Sequence, residues 1–181
     1  MRITLSITFA QKVMLSLATM AESITIERSA PKGIKYEQLI PQLKSFVGND
    51  KHPLAVLSNL ASAIHSAFGF LWTGFYTVEG NELVLGPFQG PFACMLIRIG
   101  KGVSGAVLAE GITKVVPDVD QFPGHIACSS DNRSEIVVPV KNTSGSICAL
   151  LDVDSSQLAA FDEVDKKYLE LICDWLGGQI F

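Results

Sequence analysis

Three carboxylates and one loop thiol carry the chemistry this chain can offer. In ICALLDVDS, residues 147–155, successive side chains alternate across a strand. Ile147, Ala149, Leu151 and Val153 take one face; Cys148, Leu150, Asp152 and Asp154 take the other. Asp152 and Asp154 then lie about 7 Å apart along one face. The preceding apolar run EIVVPV starts with Glu135 and is separated from ICALLDVDS by NTSG, a turn sequence. A hairpin there lets Glu135 fall near Asp152 and Asp154, with Glu135 and Asp154 both about ten residues from its centre. Carboxylates gathered this way repel each other, which raises at least one pKa. Such a cluster can hold a proton for general acid work, bind an ammonium group, or take a metal ion. The plainer alternative is a set of strand-end acids facing water. Asp152 interrupts a run of core-type residues, which favours the functional reading.

Cys128 sits in the loop GHIACSSDNR, close to His125. A loop thiol becomes a nucleophile when its pKa is lowered and is otherwise inert, and the residues alone leave both readings open. Trp72 and Tyr76 share one face of FLWTGFYTV with Phe70 and Gly74. They are core aromatics or the wall of a small pocket for a cation or a methylthio group. Cys94, in the apolar strand FACMLIRIG, reads as a buried cysteine, and so do Cys148 and Cys173. No CxxC pair exists, so a zinc site of ordinary spacing is not indicated, and a chain this long does not need disulfide staples. A reducing compartment follows. GKGVSGAV lacks the Lys-Ser/Thr ending of a phosphate loop, and its glycines are expected to permit tight turns.

The elements that must position these groups are legible as changes of period. A helix is expected from Tyr36 to Gly48 and a second from Pro53 to Gly69. The second carries an apolar stripe of Leu54, Leu57, Leu60, Ile64 and Phe68. FLWTGFYTV and ELVLGPFQG flank an EGN hairpin turn, and FACMLIRIG follows as a third strand. GKGVSGAVLAEG is a short helix and TKVV a brief strand; residues 117–133 form a long loop, a feature that in a compact domain is usually functional. The two acid-bearing strands come next. A closing helix from Asp162 has a buried stripe of Phe161, Val164, Tyr168, Leu171, Ile172 and Trp175. This order predicts an α+β domain with a central antiparallel sheet of about six strands flanked by helices.

The 181 residues, 48% hydrophobic and 18% charged, suit one globular domain. A net charge of −4 argues against nucleic acid and against an anionic membrane surface. Residues 1–20 are set aside from the domain, which is taken as 21–181. They have a weak signal-like character, but Gln11 and Lys12 split the apolar run, favouring a non-core extension ahead of an internal start at Met14 or Met20.

WTGFY, LVLGPFQG, the Ala-Cys ending at Cys94, GKGVSG, GHIAC, SEIVVP and LLDVDS occur in that order. Together they resemble the free methionine-(R)-sulfoxide reductases, which are stand-alone GAF domains; the resemblance spans roughly residues 36–176. It implies a cytoplasmic enzyme that reduces free methionine-(R)-sulfoxide, without a bound cofactor or metal, and is recharged by thioredoxin. Pairing into a homodimer through terminal helices stays open. Carried over residue by residue, the resemblance makes Cys128 the nucleophile and Cys94 its disulfide partner. Glu135, Asp152 and Asp154 become the substrate-binding and proton-donating acids, and Trp72 and Tyr76 the aromatics around the S-methyl group. Two positions depart from the pattern. Ser104 in GVSG stands where many members have cysteine, which closes any route through a thiol there; Ser129 stands where Asp is common. The alternative from another class is a non-catalytic GAF sensor binding a small ligand in the same pocket. Metal-dependent hydrolysis through the acids is weaker, because no histidine is placed beside them.

Overall fold

The structure, a computed structural model, describes residues 24–49, 51–126 and 128–181. The expected boundary after residue 20, and the readings made of residues 1–20, lie outside the described residues. Helix α1 (Lys32–Val47) begins a turn earlier than the expected Tyr36 and buries Tyr36, Leu39, Leu43 and Val47. Helix α2 (Pro53–Phe68) starts on proline, whose fixed φ suits a first turn, and stops at Gly69 in the left-handed conformation. Its buried face centres on Val56, Leu57, Leu60, Ala61 and Ile64, so Leu54, placed in the stripe by spacing, is exposed instead. Helix α4 (Glu163–Ile180) closes the chain, with Val164 and Leu171 of the expected stripe also turned outward.

The strands are β1 (Trp72–Glu79), β2 (Glu82–Gln89), β3 (Leu96–Arg98), β4 (Lys114–Val116), β5 (Ser134–Lys141) and β6 (Ile147–Ser155). They form one antiparallel sheet in the order β3-β2-β1-β6-β5-β4. The expected α+β class and six strands are therefore observed. The third strand is much shorter than the apolar run FACMLIRIG, and Cys94 lies ahead of it rather than within it. Period-2 alternation sends side chains to two separate cores. On one face Phe75, Ile136, Val138, Val140, Ala149, Leu151 and Val153 pack against α1, α2 and α4. On the other, Trp72, Tyr76, Leu83, Ile97, Val137 and Leu150 pack against the short helix α3 (Gly102–Glu110) and Val119 of the long loop.

Two expected facings change. Phe70, read as sharing the Trp72 face, precedes β1, stacks on Phe68 and makes a tilted ring contact with Phe161 on the helical side. Ile147 falls on the α3 side because the β5–β6 register shifts between Val140 and Lys141. Cys173 is buried as expected, but Cys148 is a half-buried free thiol rather than core filler.

Helix α4 is tied to α1 by a buried carboxylate. Asp165, fully buried, accepts from the Tyr36 hydroxyl at 3.0 Å and pairs with the Lys32 ammonium. Its carboxylate also accepts from the Asp162 backbone N–H at 2.9 Å, closing a capping box with the Asp162 side chain. Removing one partner of such a network leaves other polar groups buried without compensation. Asp165→Ala is therefore expected to lower unfolding stability by about 3 kcal/mol, measured by urea denaturation. Further along α4, a Cβ at Gly177 would collide with the Lys141 carbonyl, so the helix packs on β5 only because glycine stands there.

Candidate active site

Strand register assembles the acids. Glu135 on β5 is the direct partner of Asp154 on β6, and Asp154 is the direct partner of Trp72 on β1. One step along, Asp152 lies opposite Gly74. A Cβ at Gly74 would run into the Trp72 indole, so this glycine lets the ring lie over the position facing Asp152. Trp72 stacks on Phe88 with ring centroids 5.4 Å apart and on Tyr76 at 6.0 Å. The carboxylates of Glu135, Asp152 and Asp154 have oxygens within 4.8 Å of one another. These three are the residues that could grip a divalent cation, as well as an ammonium group.

Glu135 and Asp152 are each only 6% exposed, which decides against the strand-end reading of acids facing water. Burial raises all three pKa values. It carries Asp152 to about 7, against the opposing effect of the Ser104 hydroxyl bonded to it. Glu135 is raised further by the charges of Asp152 and Asp154, and Asp154 by that of Asp152. Three acids this close titrate as one coupled unit, and the cluster keeps protons into the neutral range. Burial, with the same three charges behind it, also pushes the Tyr76 phenol above its ordinary value, so that hydroxyl stays protonated.

Two residues outside the acid cluster orient it. Ser104, buried in the first turn of α3, donates its hydroxyl to Asp152 Oδ2 at 2.8 Å. Asn132, near the end of the long loop, donates Nδ2 to Asp154 Oδ1 at 2.7 Å. Asp152 Oδ1 stays buried without a partner, an acceptor held ready for a ligand. Ser104 was legible only as a missing thiol, and no signal in the sequence linked Asn132 to Asp154.

Above the acids, Cys94 and Cys128 are joined by a disulfide, with Cα atoms 5.4 Å apart. Cys94 is thus not a plain core cysteine. The Tyr76 hydroxyl donates to its carbonyl at 3.0 Å, fastening the Cys94 segment to the pocket wall. Cys128 lines the same pocket as Trp72, Tyr76, Ser104, His125, Asn132 and the three acids. The cavity measures about 40 Å³ with the bridge closed, room for a few water-sized groups. All seven residues singled out by motif (Trp72, Tyr76, Cys94, Cys128, Glu135, Asp152 and Asp154) therefore converge on this pocket or on the bridge at its mouth. A thiol pair, a protonated acid cluster and an aromatic wall at one mouth can perform thiol-based redox chemistry on a small cationic molecule.

The fold and this site define an α+β domain of the GAF class with a cysteine pair joined at its pocket. No family model matches the chain. It is 48% identical over 160 residues to GAF domain-containing protein A of Dictyostelium discoideum, covering 88% of this chain and 100% of that protein. It is 40% identical over 142 residues to the free methionine-R-sulfoxide reductase of Saccharomyces cerevisiae, covering 74% and 79%. The solved structure of free methionine-R-sulfoxide reductase from Neisseria meningitidis, in complex with its substrate, superposes with a TM-score of 0.81 at 46% identity, covering 85% and 93%. The chain belongs to the free methionine-R-sulfoxide reductase family.

Proposed function

We propose that this protein reduces free L-methionine-(R)-S-oxide to L-methionine, with Cys128 as nucleophile and thioredoxin as the external reductant, in the cytoplasm. The observation that best supports this reading is the Cys94–Cys128 bridge across a pocket floored by Glu135, Asp152 and Asp154. In the reduced protein the Cys128 thiolate attacks the sulfoxide sulfur. The acid cluster protonates the oxygen, methionine departs with two more electrons than it brought, and the oxygen remains on Cys128 as a sulfenic acid. Cys94 condenses with it, releasing water and forming the disulfide; a dithiol then returns both thiols by exchange. A serine at position 104 does not interrupt this two-thiol cycle.

The acids divide the work by their environments. Asp152, with the Ser104 hydroxyl favouring its anion, holds the substrate ammonium. Glu135, raised by burial and by the charges of Asp152 and Asp154, gives the proton that goes to the sulfoxide oxygen. Trp72 and Tyr76 enclose the S-methyl end. Selectivity for the free amino acid follows, because a methionine within a peptide has an amide where the acids require an ammonium.

The test is NADPH oxidation coupled through thioredoxin and its reductase, with free methionine-(R)-sulfoxide as substrate. Turnover is expected with the free R epimer and not with a peptide-bound one; no turnover of the free R epimer sinks the reading. Ser104→Ala removes the bond that opposes the rise in the Asp152 pKa. The rising limb of the kcat/KM profile should therefore move to higher pH, with Ser104→Cys intermediate because a thiol is a weaker donor. An unmoved limb would show that the Ser104 contact does not govern the ionisation that matters.

A further inference from the structure

The disulfide lies in an uncovered apolar surface. Of the thirteen exposed large hydrophobic side chains among the described residues, five (Phe92, Met95, Leu96, Ile99 and Ile126) fall within a few residues of Cys94 or Cys128. Phe92 is 95% exposed and Met95 76%, the two highest values of that set, and Leu96 is 59% exposed. Phe92 and Ile126 line the mouth beside Cys128 and Met95 adjoins Cys94, a concentration that marks a contact surface, whereas Leu96, alternating with buried Ile97, takes the opposite face of the sheet. The backbone beneath them is held in place. Ile97 is buried, the Met95 carbonyl accepts from the Leu85 N–H at 3.0 Å, and the Cys94 carbonyl accepts from Tyr76. The surface is thus formed in advance, and ordering it on contact costs little. β3 is also the edge of the sheet, so among the described residues its outer side has no neighbouring strand.

Resting on the proposed redox cycle, we infer that this collar around the bridge is the docking surface of a protein dithiol reductant, with Met95 as its contact anchor outside the pocket. The bridge dictates the partner's chemistry. A partner thiolate attacks one sulfur, expelling the other as a thiolate and forming a mixed disulfide. The partner's second thiol then attacks its own sulfur in that bond, releasing the remaining thiolate. Two electrons pass from the dithiol, which becomes a disulfide, to the Cys94–Cys128 pair. The collar dictates the partner's size. A small thiol can reach the bridge but covers almost none of this apolar area, whereas a protein surface buries it and is held by it.

The discriminating measurement is the rate at which the oxidised full chain regains its two thiols, followed with thioredoxin and, separately, with dithiothreitol. Met95→Ser is expected to slow reduction by thioredoxin at least ~10-fold, the loss of one good contact anchor. Reduction by dithiothreitol and the thermal midpoint should stay unchanged, because the Met95 side chain is exposed and does not line the pocket. An unchanged thioredoxin rate overturns the inference. So does an equal fall with both reductants, or a variant that only dissociates a self-associated form while the thioredoxin rate holds. Thiol recovery needs no sulfoxide, so absence of methionine sulfoxide turnover in the wild type would sink the functional reading and leave the collar measurement intact.

Discussion

Cys128→Ser is expected to remove turnover of free methionine-(R)-sulfoxide, by roughly 10³-fold or more, because a serine hydroxyl at that place is neither ionised nor a soft nucleophile for sulfur. Cys94→Ser should behave differently. One equivalent of methionine should form per protein in a single-turnover mixing experiment, and the oxygen should remain on Cys128 as a sulfenic acid trappable by dimedone. Steady-state turnover with thioredoxin should then fail, since the disulfide it reduces does not form. The two variants separate reagent from partner because the bridge joins residues with different surroundings. Cys128 lines the acid pocket, whereas Cys94 is fastened to its wall by Tyr76. Full turnover in Cys128→Ser would sink the assignment. Continued thioredoxin-driven cycling in Cys94→Ser would show that another thiol serves, with the half-buried Cys148 the free cysteine left to test first.

Glu135→Gln and Asp152→Asn are expected to lower kcat/KM by roughly 10²-fold to 10⁴-fold, the range lost with a general acid or an equivalent buried charge contact. The kinetic parameters should divide. Glu135→Gln, which removes the proposed proton donor, should act mainly on kcat, and Asp152→Asn, which removes the proposed partner of the ammonium, mainly on KM. The same substitutions should have the opposite effect on the fold. The folded-state pKa of Asp152 is raised, to about 7, above its unfolded value near 4. Its linkage contribution is therefore fully present below about pH 4 and lost as pH rises through about 7. Between those values the unfolded chain holds fewer protons than the native one, so stability falls with increasing pH. Glu135 and Asp154, shifted in the same direction, add to the fall. Urea denaturation at pH 5.5 and pH 8.5 should show wild type losing stability across that interval and Asp152→Asn losing less. Equal losses in both proteins would mean that the cluster is more hydrated than its burial indicates. A site that weakens the fold at working pH while supplying the reaction with charge and proton is the expected trade.

Much of this molecule is written in short-range pattern. The two-residue alternation of ICALLDVDS put Asp152 and Asp154 on one face, and the NTSG turn brought Glu135 to the same end of the hairpin; the register shift between Val140 and Lys141 then made Asp154 its direct partner. Most of the α2 stripe, the glycine stop at Gly69 and the acid-capped start of α4 follow from spacing and terminal chemistry in the same way. The ordered motifs carried the family. Where those patterns misled, a neighbour in space had overridden them. Ile147 changed sides through a register shift, and Phe70 was drawn to the helical face by Phe68 and Phe161.

What only the tertiary structure decided is which distant groups meet. Ser104 reads along the chain as a lost thiol; docking of α3 on the sheet brings its hydroxyl to Asp152, 48 residues away, and makes it an orienting group. Asn132 reaches Asp154 because the long loop folds back over the sheet end. Trp72 lies over the pocket because Gly74 lacks a side chain opposite Asp152. The apolar collar is uncovered because β3 is cut short at the sheet edge, although its residues read as an ordinary buried strand. Periodicity is a property of neighbouring residues and survives in the sequence. Burial and the partners of a polar group are properties of the packed assembly, fixed only when register and helix docking bring remote atoms to hydrogen-bond distance.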